Sequence, residues 1–363
     1  MPINFNPNYK ITSEIAKFLM RIEAAKERAL MLPVTPTVLA SLRETAKLYT
    51  THYSTMIEGN QLNPEEIKAV IQMKGHFPGR ERDAHEVKGY YAALAQLEQY
   101  AAQPQPVTEK MIQTLHALVM GEGRARIKPI PYREGQNVIK DSATGTLVYM
   151  PPESKDVPKL MGQLVAWIKE NEGIPCPIVA GISHYQFATI HPYYDGNGRT
   201  SRVLATLILH LGGYDLKGLY SLEEYYAKNL PGYYRAISVG PSHNYYFGRA
   251  ESDITSWVHY FTEGMTIAFE KVVGQMTRSA EKGEKDYSDL MRSLDPKSRK
   301  ALELFKKYAV VTSQQIGGLF GFKPRTNAAL CKKWVDEGFL EIVNASNKAR
   351  KYKIAPPYEV LVK

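Results

Sequence analysis

The sequence predicts a mainly α-helical chain with one β-hairpin in its middle and a small helix-and-hairpin unit near its C-terminal end. Three observations predict it. Apolar residues recur at helical spacing between Gly and Pro punctuation; the stretch 132–150 instead carries β-prone runs; and Lys and Arg gather late, with 16 against 8 Asp and Glu from Lys285 to Lys363. With 363 residues, 44% hydrophobic and 23% charged, the chain has the composition of a folded globular protein and room for two or three domains. No stretch approaches a membrane span, and the start lacks a basic region leading into an apolar one. Cys176 and Cys331 stand far apart without metal-ligand spacing, so neither a disulfide framework nor a zinc site is indicated. A reducing, cytoplasmic setting is expected.

From Val38 to Ile57, Leu39, Leu42, Ala46, Leu48 and Met56 recur without internal Pro or Gly, which predicts a helix ended by Gly59-Asn60. Asn63-Pro64-Glu65-Glu66 then reads as a helix start, with Asn63 as cap and acids in the first turn. Further helices are expected over Asp83 to Ala101, Thr108 to Val119 and Val157 to Lys169. Asn137-Val-Ile and Thr146-Leu-Val-Tyr, separated by Lys140 to Gly145, predict the hairpin that Pro151-Pro152 closes. Pro177 opens a helix through Ile190, and Thr200 to Leu211 forms the next, stopped by Gly212-Gly213.

The charged stretch Ser279 to Tyr287 leads into the last unit. There the pattern predicts helices over Pro296 to Tyr308, Thr312 or Ser313 to Leu319, and Pro324 to Glu337, then strands Phe339 to Val343 and Arg350 to Ile354. Three helices followed by a hairpin is the order of a small winged helix-turn-helix domain. The expected organisation is a helical region over 1–95, a core over 96–280 and the winged helix over 285–363.

Chemistry concentrates in His191-Pro-Tyr-Tyr-Asp-Gly-Asn-Gly-Arg-Thr-Ser-Arg202, between two helices. Gly196 and Gly198 let backbone N–H groups approach an anion, and the helix start that follows adds unpaired donors and a positive dipole end. The helix is expected to bury Val203, Leu204, Leu207, Ile208 and Leu211 and to offer Arg199 and Arg202 from another face. His191 has the near-neutral reference pKa of a general base, and Asp195 is a hard oxygen ligand suited to Mg²⁺ shared with phosphates. Nucleotidyl or phosphoryl transfer is the implied reaction class.

This segment resembles the signature of Fic-domain proteins, His-Pro-Phe-x-Asp/Glu-Gly-Asn-Gly-Arg-x-x-Arg, with Tyr193 in place of the usual Phe. The resemblance implies a helical Fic core that transfers AMP from ATP to a Tyr, Ser or Thr hydroxyl of a target protein and of itself. In it His191 activates the hydroxyl and Asp195 holds Mg²⁺. Gly196, Asn197, Gly198 and Arg199 form the anion hole, and Arg202 contacts the γ-phosphate. Tyr193 should keep the anchoring role of Phe, with a hydroxyl that needs water or a partner. The hairpin over 132–150 resembles the family's flap, whose edge would take the protein substrate as an added strand. Gly198 stands where the family's phosphotransferase branch commonly has Lys, which favours AMP transfer.

Upstream, Ser54-Thr-Met-Ile-Glu-Gly-Asn60 resembles the family's inhibitory motif, Ser/Thr-x-x-x-Glu-Gly/Asn. Glu58 would pair with Arg202 where the γ-phosphate should sit, with Ser54 beside it. Tyr234 and Asn229, in a Tyr-rich stretch, are candidate nucleoside contacts; His184 is read as a structural histidine. In the last unit, Lys323, Arg325, Lys332, Lys333, Lys348, Arg350 and Lys351 could straddle a DNA groove. A winged helix equally serves protein contacts, so a homodimer is the other partner expected. Two alternatives to AMP transfer stand open: a DNA-binding regulator with an ATP-sensing core, and removal of AMP at the same site.

Overall fold

Thr12, Asn63 and Thr108 each sit in extended backbone and accept a hydrogen bond from an N–H of the turn that follows. These caps start α1 (Ser13–Met31), α3 (Pro64–Ile71) and α5 (Glu109–Met120) by satisfying donors the helix itself leaves unpaired. At Asn63 the cap is reciprocal, because its own N–H donates to the Glu66 carboxylate at 2.9 Å. These features belong to a computed structural model that describes residues 5–362 except 33–35, 74, 76, 104, 124–126, 141–143, 172, 241, 282–293 and 345–349. Lys348, the end of the charged stretch from 282 to 287, and the middle of the hairpin connection lie outside the described residues.

The chain divides into two compact units, residues 1–34 with 39–282 and residues 35–38 with 283–363. In the first, α2 (Pro36–Ile57), α4 (Glu81–Ala101), α6 (Val157–Glu170), α7 (Cys176–Ile190) and α8 (Asn197–Leu211) follow the sequence pattern closely. The pattern had assigned no element to α1, α9 (Leu222–Lys228), α10 (Leu230–Ile237) or α11 (Thr255–Glu281). α11 carries Gly264 and Gly274, yet it runs unbroken and packs along α1 and α7.

The centre is α7. From Pro177 to Ile190 all its residues but Ala188 are buried, as expected of a helix apolar on every side. Gly181 permits the close crossing with α11, since a Cβ there would lie 2.9 Å from the Phe261 ring. At the same place the Trp257 indole N–H donates to the Gly181 carbonyl at 2.7 Å. The hairpin is shorter than expected: β1 (Ile139–Lys140) pairs antiparallel with β2 (Leu147–Tyr149), Ile139 opposite Tyr149 and Lys140 opposite Leu147, with a register shift between the pairs.

The second unit contains α12 (Pro296–Phe305), β3 (Val311–Thr312), α13 (Ser313–Phe320), α14 (Pro324–Asp336), β4 (Leu340–Asn344) and β5 (Lys351–Ile354). Its antiparallel sheet has the order β3-β5-β4, with β3 an addition to the two expected strands. Leu302, Phe305, Ile316, Trp334, Phe339 and Tyr352 form a core of its own. Among the described residues no helix is long and apolar enough to cross a membrane.

Trp257 has no exposed surface, so Trp257→Ala should lower unfolding free energy by about 3–5 kcal/mol through lost burial and the cavity left behind. Denaturant unfolding followed by circular dichroism measures it.

Candidate active site

α7 ends at His191, which takes a left-handed conformation (φ 51°, ψ 59°) while its N–H still donates to Phe187 at 3.0 Å. The strained backbone turns the chain at once from helix into the motif loop. Nδ1 lies 3.3 Å from the Ala188 carbonyl, which assigns the ring proton to Nδ1 and leaves the Nε2 lone pair to take another. Burial pushes the imidazole pKa down to about 4, against the opposing Ala188 hydrogen bond and with help from the Arg133 charge. At neutral pH the group is an unprotonated base.

Arg133, which the sequence reading missed, fixes this turn. It is buried, and its Nε donates to the His191 carbonyl at 2.9 Å, its Nη1 to Gly135 at 3.0 Å and its Nη2 to Pro152. Its backbone N–H donates to Pro192 at 2.9 Å. One guanidinium thus joins both roots of the hairpin to the histidine. Tyr194 adds a second tie, its hydroxyl accepting the Gly135 N–H at 2.8 Å.

The loop is braced from within. The Asn197 side chain accepts from the Tyr193 N–H at 3.0 Å and donates to the Tyr193 carbonyl at 2.8 Å, so its amide serves the loop backbone. Tyr193 is buried with its ring stacked on His116, centroids 3.4 Å apart and planes 3° from parallel. Its hydroxyl has no protein partner among the described residues. His116 Nε2 lies 3.0 Å from the Asp195 carbonyl, and burial pushes its pKa down to about 4. The neutral ring must therefore donate through Nε2. Gly196 needs its positive φ of 78°, and a Cβ there would meet Met120 Sδ at 2.7 Å.

Asp195 projects from this loop with its side chain 56% exposed, and its Oδ1 accepts from the Gly196 N–H and, at 3.4 Å, from Arg199. A cleft of about 290 Å³ opens beside it, lined by Arg82, His85, Glu86, Met120, Asp195 and Arg199 among others. No cluster of three or more His, Cys, Asp or Glu suited to a metal occurs among the described residues. A single exposed carboxylate fits Mg²⁺ held jointly with substrate phosphates, and does not fit an all-protein cage.

α8 starts at Asn197, three residues before the expected position, and the two arginines on it are not offered to solvent. Arg199 and Arg202 are each 2% exposed. The apolar arc alone suggested a free opposite face; α2 and α4 supply partners that cover it. Arg199 lies 3.9 Å from Glu86 of α4. Arg202 donates from Nε to Ser54 Oγ at 2.8 Å, and from Nη2 to the Ser54 carbonyl at 2.9 Å and Glu58 Oε1 at 2.8 Å. Burial works against this charge, the Glu58 carboxylate together with Tyr233 and Tyr90 outweighs it, and the guanidinium is held above its ordinary pKa. Glu58 also lies so close over Gly198 that a Cβ there would collide with Oε1. A carboxylate therefore rests on the first turn of α8, where unpaired N–H groups and the dipole favour an anion.

The remaining candidates lie nearby or serve the fold. The Tyr234 hydroxyl donates to the Ile57 carbonyl at 3.2 Å, at the end of α2. Asn229 caps α10, accepting from Gly232 at 3.1 Å. His184 is buried, with Nε2 3.0 Å from the Tyr233 hydroxyl.

Residues 106–209 match the Fic/DOC family. "Protein adenylyltransferase Fic" of Nematostella vectensis is 28% identical over 202 residues, covering 54% of this chain and 45% of that protein. The Drosophila erecta protein of the same name is 30% identical over 169 residues, 45% of this chain and 32% of that one. The chain thus spans less than half the length of these curated relatives. Among solved structures, a Fic family protein from Desulfovibrio desulfuricans G20 aligns over 97% of this chain and 99% of its own, with TM-score 0.62 and 23% identity. Fic-1 from C. elegans aligns over 73% of each chain, with TM-score 0.55 and 23% identity. Both share the fold.

His116 and His191 sit near 4 when folded against a reference value of 6.5, so between those values the unfolded chain binds more protons. Stability should be fully present above pH 6.5 and fall as pH drops toward 4. Urea midpoints at pH 7.5 and 5 test this, and His116→Phe should flatten the dependence.

Proposed function

Residues 106–209 give the chain a Fic/DOC-family core, and from that premise we propose that it is a protein adenylyltransferase held in a resting state by Glu58. The observation that carries the proposal is the placement of the Glu58 carboxylate, bonded to Arg202 and lying over Gly198. An internal anion fills an anion site, and the γ-phosphate of ATP is the substrate group that would replace it.

With Glu58 displaced, Arg202 binds the γ-phosphate, and Gly196, Asn197, Gly198 and Arg199 surround the remaining phosphates at the start of α8. Mg²⁺ held by Asp195 would neutralise phosphate charge. A Tyr, Ser or Thr side chain reaches the site when its segment adds to the hairpin, where Val138 and Leu147 are exposed. Its hydroxyl oxygen attacks the α-phosphorus and its proton passes to His191 Nε2. The bond to the bridging oxygen breaks and pyrophosphate leaves. Tyr234, half exposed at the end of α2, would face the nucleoside, with Asn229 behind it.

Incubation with ATP labelled at the α-phosphate should give at least about tenfold more self-labelling for Glu58→Gly than for wild type, the effect of losing one charge-assisted hydrogen bond from the competitor. His191→Ala should give none. Transfer of label from the γ-phosphate would overturn AMP transfer in favour of a kinase.

A second reading concerns residues 283–363, which we propose form a winged helix that binds duplex DNA. Lys323, Arg325, Lys332 and Lys333 are exposed at the start and along one side of α14, opposite buried Asn327, Cys331 and Trp334. Lys351 on β5 is exposed as well. The full chain should bind duplex DNA with an affinity that falls steeply with salt, and Arg325→Ala with Lys332→Ala should weaken binding and shallow the slope. No binding at low salt sinks this reading.

A further inference from the structure

Behind Arg202 the hydrogen bonds continue away from the anion site. Ser54, with no exposed surface, accepts from Arg202 Nε at 2.8 Å, and its hydroxyl faces that of Tyr90, itself wholly buried. The Tyr90 hydroxyl donates to Glu223 Oε1 at 3.0 Å, which leaves its oxygen as the acceptor facing the Ser54 hydroxyl. Ser221, the cap of α9, donates to Glu223 Oε2 at 3.0 Å. Glu223 is 2% exposed. Burial raises its pKa, and the Arg202 charge is among the influences that oppose this.

Arg202 therefore answers to two carboxylates with different freedom. Glu58 is held on Nη2, has a 31% exposed side chain and sits just past the last turn of α2. Glu223 acts on the Nε side from the first turn of α9, enclosed by protein. If an incoming phosphate takes Nη2 from Glu58, the Nε side is unchanged. Without a fixed anchor there, a buried guanidinium losing its carboxylate would reorient toward solvent or another acceptor.

We propose that Glu223, acting through Tyr90 and Ser54, is a positioning residue that keeps Arg202 aimed at the anion site while Nη2 exchanges Glu58 for the γ-phosphate. The inference rests on the assignment of Arg202 to that phosphate. Binding of ATP and of ADP by calorimetry, in protein carrying Glu58→Gly and His191→Ala to open the site and prevent turnover, separates the two. Adding Tyr90→Phe, which removes one oxygen and little volume, should weaken ATP binding about tenfold, the worth of a hydrogen bond serving a charged group. ADP binding should stay within about twofold, because it lacks the phosphate that Arg202 reads. Glu223→Gln should do the same, and thermal unfolding of each variant checks that the fold is kept. Equal losses for both nucleotides, or no loss for ATP, overturn the positioning role. A parent protein that binds ATP no better than ADP overturns instead the assignment of Arg202 to the γ-phosphate, and with it the relay's purpose.

Discussion

Arg202 is enclosed by protein on every side, and a guanidinium removed from water must find both counter-charge and hydrogen-bond acceptors inside the fold. That demand organises what surrounds it. Two of the acceptors come from Ser54 and one from Glu58, so the last turns of α2 must lie against α8 for the charge to be tolerated. Asn60 then pins the chain just beyond, donating to the Asp83 carbonyl at 3.0 Å and to Glu86 at 3.1 Å, while Glu86 faces Arg199. The segment proposed to block the anion site is thus also the segment that completes the polar interior of α8.

The motif loop answers to a different constraint. His191 has positive φ, Gly196 has positive φ, and the residues between must be held in a shape the chain would not choose alone. The fold over-determines that shape by bonding to its backbone: Arg133 takes the His191 and Pro192 carbonyls, Asn197 takes both ends of Tyr193, and His116 takes the Asp195 carbonyl. None of these four carbonyls is free to move. The consequence is a base whose ring is aimed by rigid elements, with its proton fixed on the side away from the site.

What the sequence disclosed divides along the same line. The helix starts at Asn63 and Thr108 were legible because a cap is a local event, decided by three or four neighbouring residues. The motif from His191 to Arg202 was legible because its spacing is itself the chemistry. The burial of Arg199 and Arg202 was not, since the partners that make it tolerable stand up to 148 positions away. Arg133, His116 and Tyr90 escaped for the same reason: each looks like an ordinary surface or core residue until the carbonyl or hydroxyl it serves is brought to it. α11 was not assigned from the sequence, and its Gly264 is required where Tyr225 packs too close for a Cβ. A glycine that punctuates and a glycine that admits a neighbour are identical in sequence.

If Arg202 reads the γ-phosphate as proposed, the contest there is unequal in kind. Glu58 is a tethered ligand, and a group carried on the same chain competes at an effective concentration of roughly millimolar or more. A nucleotide arriving from solution overcomes this only with binding energy gained elsewhere, from the α8 dipole, the loop N–H groups and the base-binding end of the site. In the proposed adenylyltransferase, Glu58 need not prevent nucleotide binding to prevent reaction. It is enough that the γ-phosphate is turned away from Arg202, because the α-phosphate is then carried out of line with the hydroxyl whose proton His191 is placed to take. Inhibition of this kind costs the protein no alternative fold and no second domain. It requires only that one carboxylate be closer than the substrate to the same Nη2 hydrogen.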